Sequence, residues 1–363
     1  MNGKKQIYRG AILGFAIGDA LGSAVNDKTW DTIRQDYGPD GLLGYDLCEG
    51  DASVTSYTQV LAYIANAFLV SVSRGSKADY LAAHTTALHQ WAKRQHFPRD
   101  PMPTPLWVAQ MSQLRRRNCK DARMLDALRF PQLGTFQKPL SRATSCGVLS
   151  YATALGLFFD PKRIHPGKLG QLAADMAATT HGSAEGVFTA VVLAYALAGI
   201  LHAPEIPLAE QFLRAVYVMQ EQFGDRHPVF KAAEPILKGI RLAETPAENP
   251  QEVMEQLGCD DAPSALAGAI YSVLCYENDF DGAMICAINH SGASCIVAGI
   301  AGAILGARMG AEALPDFYME GLDCKEILTE LADDMIRGSV TAGLFDTDWD
   351  QKYLHGTPLL PVD

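Results

Sequence analysis

Hydrophobic residues repeat with a helical period along most of this chain. Apolar side chains recur at i, i+3, i+4 and i+7 in ten segments, a spacing that predicts amphipathic helices. These segments are 57–72, 77–95, 169–179, 184–201, 208–223, 228–242, 262–276, 280–287, 295–309 and 325–336. No convincing run of alternating apolar and polar residues indicates a strand. We therefore predict an all-α fold.

Glycine marks one face of the first helix, at Gly10, Gly14, Gly18 and Gly22. Each glycine inside a helix costs about 1 kcal/mol relative to alanine, so the stripe predicts a second backbone packed closely against it. Segment 294–308 also places small residues three and four positions apart, and we expect these two helices to pack on each other. Asp19 lies where the first helix ends, which we interpret as the rim of a site.

The composition is that of a folded protein with a large core. The chain has 363 residues, 48% of them hydrophobic and 20% charged. Its length alone suggests about two domains. The two small-residue helices lie near opposite ends of the chain and are expected to meet, so we favour one domain over residues 1–363. Residues 346–363 are predicted to form a C-terminal surface arm.

Charge and hydropathy exclude some classes of function. The net charge of −11 argues against a general nucleic-acid or anionic-membrane binder. The uncharged run in segment 294–308 is shorter than the ~20 residues that cross a bilayer, and no signal-peptide pattern opens the chain. The eight cysteines include no Cys-x-x-Cys pair, which favours reduced thiols over a metal site. We expect a cytoplasmic protein.

Five motifs occur in a characteristic order along residues 8–310. They are Tyr8 to Val25, Thr55-Ser56-Tyr57-Thr58-Gln59, Ser145-Cys146-Gly147, Thr180-His181-Gly182 and Asn289-His290-Ser291-Gly292. This order resembles that of the ADP-ribosylglycohydrolase family. The resemblance implies an orthogonal helical bundle with a central cleft. Family enzymes hold two magnesium ions in this cleft and hydrolyse the N- or O-glycosidic bond that joins ADP-ribose to a protein side chain or small acceptor.

The chain departs from the family at both metal-binding motifs. The family's Thr-Asp-Asp-Thr is Thr55-Ser56-Tyr57-Thr58 here, and its Gly-Gly-Asp-x-Asp-Thr is Gly292-Ala293-Ser294-Cys295-Ile296 after Ser291. Magnesium needs hard oxygen ligands, usually including a carboxylate. Ala293 offers no ligand, Cys295 is a soft thiol and Tyr57 is neutral near pH 7. We therefore expect neither a metal site nor a magnesium cofactor.

Among the other acids, Asp19, Glu49 and Asp51 are the best candidates for rebuilding part of the site. The alternative to metal binding is a structural role for each acid. Asp19 would accept hydrogen bonds from backbone amides at a helix end, and Glu49 and Asp51 would belong to an acidic loop. These alternatives are favoured over a single-metal site. The acid pairs at 260–261 and 333–334 look remote from the cleft.

His181 and two cysteines are the remaining candidates for chemistry. A histidine in Thr-His-Gly can act as an acid or base near neutral pH, but the sequence shows no aspartate partner, so a structural or ligand-contacting role is favoured. Cys146 and Cys295 are candidate nucleophiles, although buried inert thiols are the preferred interpretation. Asp19, Asp51 and His181 thus remain weak catalytic candidates.

The predicted ligand cleft combines these motifs. It comprises Asp19, Thr55, Ser56, Tyr57, Thr58, Ser145, Cys146, Gly147, His181, Ser291, Gly292, Ala293, Ser294 and Cys295. Two functions are compatible with it. One is a non-catalytic binder of an ADP-ribose-like nucleotide or of a protein partner, in regulation, sensing or immunity. The other is a metal-independent hydrolase of a glycosidic bond, using Asp19, Asp51, His181 or Tyr57.

Tyr57 favours the binder. Its phenol replaces a carboxylate and either bonds a ligand or plugs the cleft. A plugged cleft favours a protein partner, whereas an open one favours a small molecule.

Overall fold

The fold is built from helices throughout the part of the chain that the structure describes. This computed structural model describes residues 2–47, 52–75, 78–97, 104–162, 164–245, 247–340 and 347–361. The α-helices there are α1 (Asn2–Gly22), α2 (Trp30–Tyr37), α3 (Ser56–Val72), α4 (Tyr80–His96), α5 (Ala122–Ala127), α6 (Val148–Phe158), α7 (Pro166–Ala178), α8 (Ala184–His202), α9 (Leu208–Phe223), α10 (Phe230–Ala243), α11 (Pro250–Leu257), α12 (Ala262–Cys275), α13 (Phe280–Ile288), α14 (Ser294–Met309), α15 (Asp316–Gly321), α16 (Lys325–Val340) and α17 (Thr347–Tyr353). Extended pairing in these ranges is limited to one isolated bridge, Ala52 with Leu322. The all-α prediction is confirmed.

Helices α1 and α14 pack backbone against backbone along the glycine stripe. A Cβ atom built at Gly14 would lie 2.1 Å from the carbonyl oxygen of Gly302. One built at Gly18 would lie 2.1 Å from the carbonyl oxygen of Ala298. The predicted contact between these two helices is therefore confirmed, and it explains the glycines. At Gly22 the contact reaches the first residues of α14, which brings the end of α1 to the beginning of α14.

The other helices pack around this pair in overlapping layers. Helix α16 packs on α1 and α3, while α3 also contacts α4 and α6. Helix α8 packs between α6, α7, α9 and α12, and α12 in turn contacts α14. This arrangement brings the beginnings of α3, α5, α6 and α14 together at one cavity.

Helix α8 is long and apolar enough, by length and composition, to cross a membrane. In this fold 78% of its apolar window is buried inside the protein. Burial of that extent is typical of a core helix, because a helix that is hydrophobic on all sides must be covered on all sides.

The C-terminal segment, predicted as a surface arm, contains a short helix that packs on the rest of the protein. Residues 347–353 form α17, and its Trp349 and Tyr353 are buried. Trp349 donates a hydrogen bond of 2.8 Å from Nε1 to the Ser73 hydroxyl, and Tyr353 donates one of 2.6 Å to Asp334. Burial of two aromatic side chains gives the segment a reason to pack on the body of the protein.

Candidate functional site

Six chain segments line a cavity of about 310 Å³, which we call the cleft. The lining residues are Asn26, Asp27, Tyr57, Lys120, Asp121, Ala122, Arg123, Ser145, Cys146, Asp260, Ser291, Gly292 and Ala293. Six of them come from the set predicted from sequence: Tyr57, Ser145, Cys146, Ser291, Gly292 and Ala293. The other predicted residues lie behind this surface, and most are fully buried. Asp51, like Glu49, lies outside the described residues.

Asp19 holds the beginning of α3 from behind the cleft. Its two carboxylate oxygens accept four hydrogen bonds, from the backbone amide and the hydroxyl of Thr55 and of Thr58. Burial raises the pKa of Asp19, and these hydrogen bonds oppose that rise. The interpretation of Asp19 as an acceptor of backbone amides at a helix end is confirmed.

Ser56 connects α3 to the loop that precedes α5. Its hydroxyl accepts a hydrogen bond of 2.9 Å from the Lys120 amide, and its own amide donates one of 2.9 Å to the Asn118 carbonyl. Ser56, which the sequence analysis aligns with a family aspartate, therefore binds protein backbone here. The consequence is that the backbone of Lys120 is fixed beside Ser56.

Tyr57 contributes its phenol to the cleft wall. The side chain is only 3% exposed. Burial, followed by the nearby Cys146, Asp121, Cys295 and Asp19, raises its pKa well above the ordinary value. Because the phenol stays protonated near neutral pH, Tyr57 can donate a hydrogen bond to a ligand.

Asp121 is the carboxylate partner of His181 that the sequence did not show. His181 Nε2 lies 3.1 Å from Ser145 Oγ and 3.5 Å from Asp121 Oδ2. The Ser145 hydroxyl donates to Asp121 Oδ1 at 3.0 Å, and the Gly147 amide donates to Oδ2 at 2.7 Å. Burial alone would raise the pKa of Asp121. The hydrogen bond from His181, together with those from the Met124 and Gly147 backbone amides, lowers it below the ordinary value, so the carboxylate is ionised.

A chain of hydroxyl groups orients His181 from its other side. Tyr151 OH lies 3.0 Å from Thr180 Oγ1, which lies 2.8 Å from His181 Nδ1. If Tyr151 donates to Thr180 and Thr180 donates to Nδ1, every hydroxyl hydrogen in the chain has an acceptor. This assignment leaves the imidazole proton on Nε2, facing Ser145 and Asp121. It favours His181 as a donor that positions these two residues.

The α14 side of the cleft is fixed by backbone contacts. A Cβ atom at Gly292 would lie 2.5 Å from the Cys259 carbonyl oxygen, so only glycine fits there. Ser291 donates through its amide and its hydroxyl to Glu255. The Cys295 amide donates to the Asn26 side chain at 3.2 Å. These bonds bring the ends of α1 and α11 to the beginning of α14.

The two candidate thiols are poorly placed for nucleophilic chemistry. Cys146 and Cys295 are buried. Burial is the main cause that raises the pKa of each well above its usual value. The reactive species is the thiolate, so both side chains behave as inert thiols near neutral pH.

The prediction that Asp260 is remote from the cleft is wrong. The chain turns at Gly258 and Cys259, both with positive φ, and this turn brings Asp260 to the cleft wall. Sequence reasoning also missed Asn26, Asp27 and the segment Lys120 to Arg123. Asp121 had one local signal, since it caps α5 through a 2.9 Å bond from the Met124 amide. That signal indicates a helix end and not a ligand.

Comparisons with known proteins agree with this architecture. The family model described as ADP-ribosylglycohydrolase matches residues 2–344. An uncharacterized protein from Archaeoglobus fulgidus is 26% identical over 338 residues, which covers 90% of this chain and 94% of that protein. A solved structure titled "ADP-ribosylglycohydrolase-related protein complex" aligns with a TM-score of 0.57 at 21% identity, covering 94% of this chain and 100% of that one. At that identity the structural similarity shows the fold alone.

Proposed function

The chain belongs to the ADP-ribosylglycohydrolase family, and we propose that it binds an ADP-ribose-like nucleotide in the cleft without the family's metal-dependent hydrolysis. The observation that supports this most is the use of Asp19. All four hydrogen bonds that its carboxylate accepts come from Thr55 and Thr58. Asp19 and the hydroxyl groups of the altered Thr-Ser-Tyr-Thr motif are therefore bonded to one another.

The donor set around the cleft does not fit a pair of magnesium ions. Among the described residues, no three His, Cys, Asp or Glu side chains are grouped so that they could hold a metal ion. The Ser56 hydroxyl accepts the Lys120 amide, and Cys295 is a protonated thiol. Two dications a few ångströms apart need several carboxylates to offset their repulsion. We therefore propose a cleft that acts without magnesium.

The shape of the cleft favours a small molecule over a protein as the ligand. Although Tyr57 replaces a smaller carboxylate, the cleft retains about 310 Å³. This volume lies near the lower end of the range typical of small-molecule pockets. The wall offers a phenol, hydroxyl groups, carboxylates and two cations, which suit a ligand with hydroxyls and phosphates.

We expect ADP-ribose to bind in the presence of a chelator, and Tyr57→Phe to weaken binding about fivefold, because it removes one neutral hydrogen bond. Titration calorimetry measures both affinities. Tyr63→Phe is the matched control, because Tyr63 is a buried tyrosine of α3 that does not line the cleft.

Two results would contradict the binding proposal. One is a parent protein that does not bind ADP-ribose at millimolar concentration. The other is release of ADP-ribose from ADP-ribosyl-arginine or ADP-ribosyl-serine that requires magnesium, since this would mean that other acids complete a metal site.

A second candidate function is metal-independent cleavage of a glycosidic bond, favoured by the ionised Asp121 on the cleft wall. A fixed carboxylate can stabilise the positive charge that develops on a sugar ring as such a bond breaks. We expect any activity of this kind to persist in chelator and to fall at least 100-fold in Asp121→Asn. Asp126→Asn removes an exposed carboxylate of α5 that does not line the cleft and is expected to retain the activity. Equal loss in both variants would argue against this role for Asp121.

A further inference from the structure

The cleft contains two cations without carboxylate partners. Lys120 is half-buried and Arg123 is exposed, and both line the cleft. Neither side chain forms an ion pair with a carboxylate of the described residues. Arg116, in the same loop, is by contrast paired with Asp323. Unpaired cations inside a concave surface indicate a site for an anion.

The position of Lys120 follows from the altered metal motif. The Ser56 hydroxyl accepts the Lys120 amide, and the Ser56 amide donates to Asn118. The charge on Lys120 also lowers the pKa of Cys295, opposing burial and the nearby Asp19. Lys120 is therefore close enough to influence the region between Asp19 and Cys295. That region contains positions where the family pattern has metal-binding residues.

We propose that Lys120 and Arg123 form a metal-free subsite for the phosphate group of the ligand. A lysine ammonium provides three donors and a guanidinium five, and both bind phosphate through charge-assisted hydrogen bonds. The positive charge that a metal ion would provide thus comes from side chains of the protein. The inference builds on the proposed nucleotide-binding cleft and names the group that the cleft recognises.

The carboxylates that line the cleft do not pair with these two cations. Asp121 is occupied by Met124, Ser145, Gly147 and His181. Asp27 and Asp260 come from two other chain segments and are exposed. Exposed carboxylates accept hydrogen bonds from hydroxyl groups. A ligand that carries both a phosphate and a sugar would therefore bind the two cations through its phosphate and these carboxylates through its sugar hydroxyls.

The test measures binding of inorganic pyrophosphate and of ADP-ribose, in chelator and at constant ionic strength. We expect pyrophosphate to bind the parent, and Lys120→Met to weaken binding of both ligands roughly tenfold or more. Lys120→Arg keeps the charge and is expected to restore most of the affinity. Lys93→Met removes an exposed lysine of α4 and should leave both affinities unchanged. Circular dichroism and thermal melts verify that every variant is folded.

The outcomes separate this inference from the proposed function. Failure of pyrophosphate to bind the parent, or equal affinity of the parent and Lys120→Met, would overturn the phosphate subsite. Binding of pyrophosphate that depends on Lys120, without any binding of ADP-ribose, would support the subsite and reject the proposed nucleotide. Loss in Lys93→Met equal to that in Lys120→Met would indicate general charge attraction and would also overturn the subsite.

Discussion

Replacing Gly14 by alanine is expected to lower the free energy of unfolding by about 3 kcal/mol or more. The new methyl group would lie 2.1 Å from the Gly302 carbonyl oxygen and 2.7 Å from its carbonyl carbon. Both atoms are backbone and cannot rotate away, so α1 and α14 must separate. Extra methylene groups in a tight core typically cost 1–3 kcal/mol where side chains can adjust, and here they cannot. Chemical denaturation with circular dichroism measures the change.

Gly3 provides the control within the same helix. A Cβ atom at Gly3 meets nothing within 4 Å, so Gly3→Ala tests helix propensity without the clash. Alanine is favoured over glycine by about 1 kcal/mol in a helix interior, and by less near a helix end, so we expect Gly3→Ala to be neutral or slightly stabilising. A Gly14→Ala protein as stable as Gly3→Ala would mean that α1 and α14 do not approach as closely as described.

The glycine stripe also shows which part of the fold can be predicted from the sequence. Four glycines on one helix face lower the stability of the helix unless another backbone packs against them. The second helix rich in small residues was the expected packing partner. The pattern therefore predicted a contact between residues almost 300 positions apart. Helix α17 had no comparable signal, because it is short. Its Trp349 and Tyr353 are buried by contacts with α3 and α16 that no local pattern encodes.

The candidate site was predictable only where motifs mark it. Tyr57, Ser145 and Ala293 belong to segments with a recognisable order, and they do meet at the cleft. Lys120 and Asp121 come from a loop with no hydrophobic period. Their position depends on long-range bonds to Ser56 and Gly147. Residues of this kind become functional candidates only when the fold brings the loop and the motifs together.

Restoring the family's acids is expected to convert the cleft into a magnesium site. The variant changes Ser56, Tyr57, Ala293 and Cys295 to aspartate. All but Ala293 are buried, so without metal the four acids face both desolvation and mutual repulsion, which together cost several kcal/mol. The variant should be less stable than the parent in chelator. Magnesium at 100 times its dissociation constant should restore about 2.7 kcal/mol.

The asparagine version of the same four changes separates charge from packing. Asparagine has nearly the shape of aspartate but neither its charge nor its affinity for magnesium, so this control should lose stability through packing and gain nothing from the ion. Lys120 supplies only one positive charge against four new acids, and removing it by Lys120→Met in the aspartate variant should enlarge the magnesium response. Thermal melts of all four proteins with and without millimolar magnesium give the comparison. Equal, small shifts throughout would mean that the two motif segments do not converge on one ion position, and the proposed loss of the family's metal site would have no structural basis.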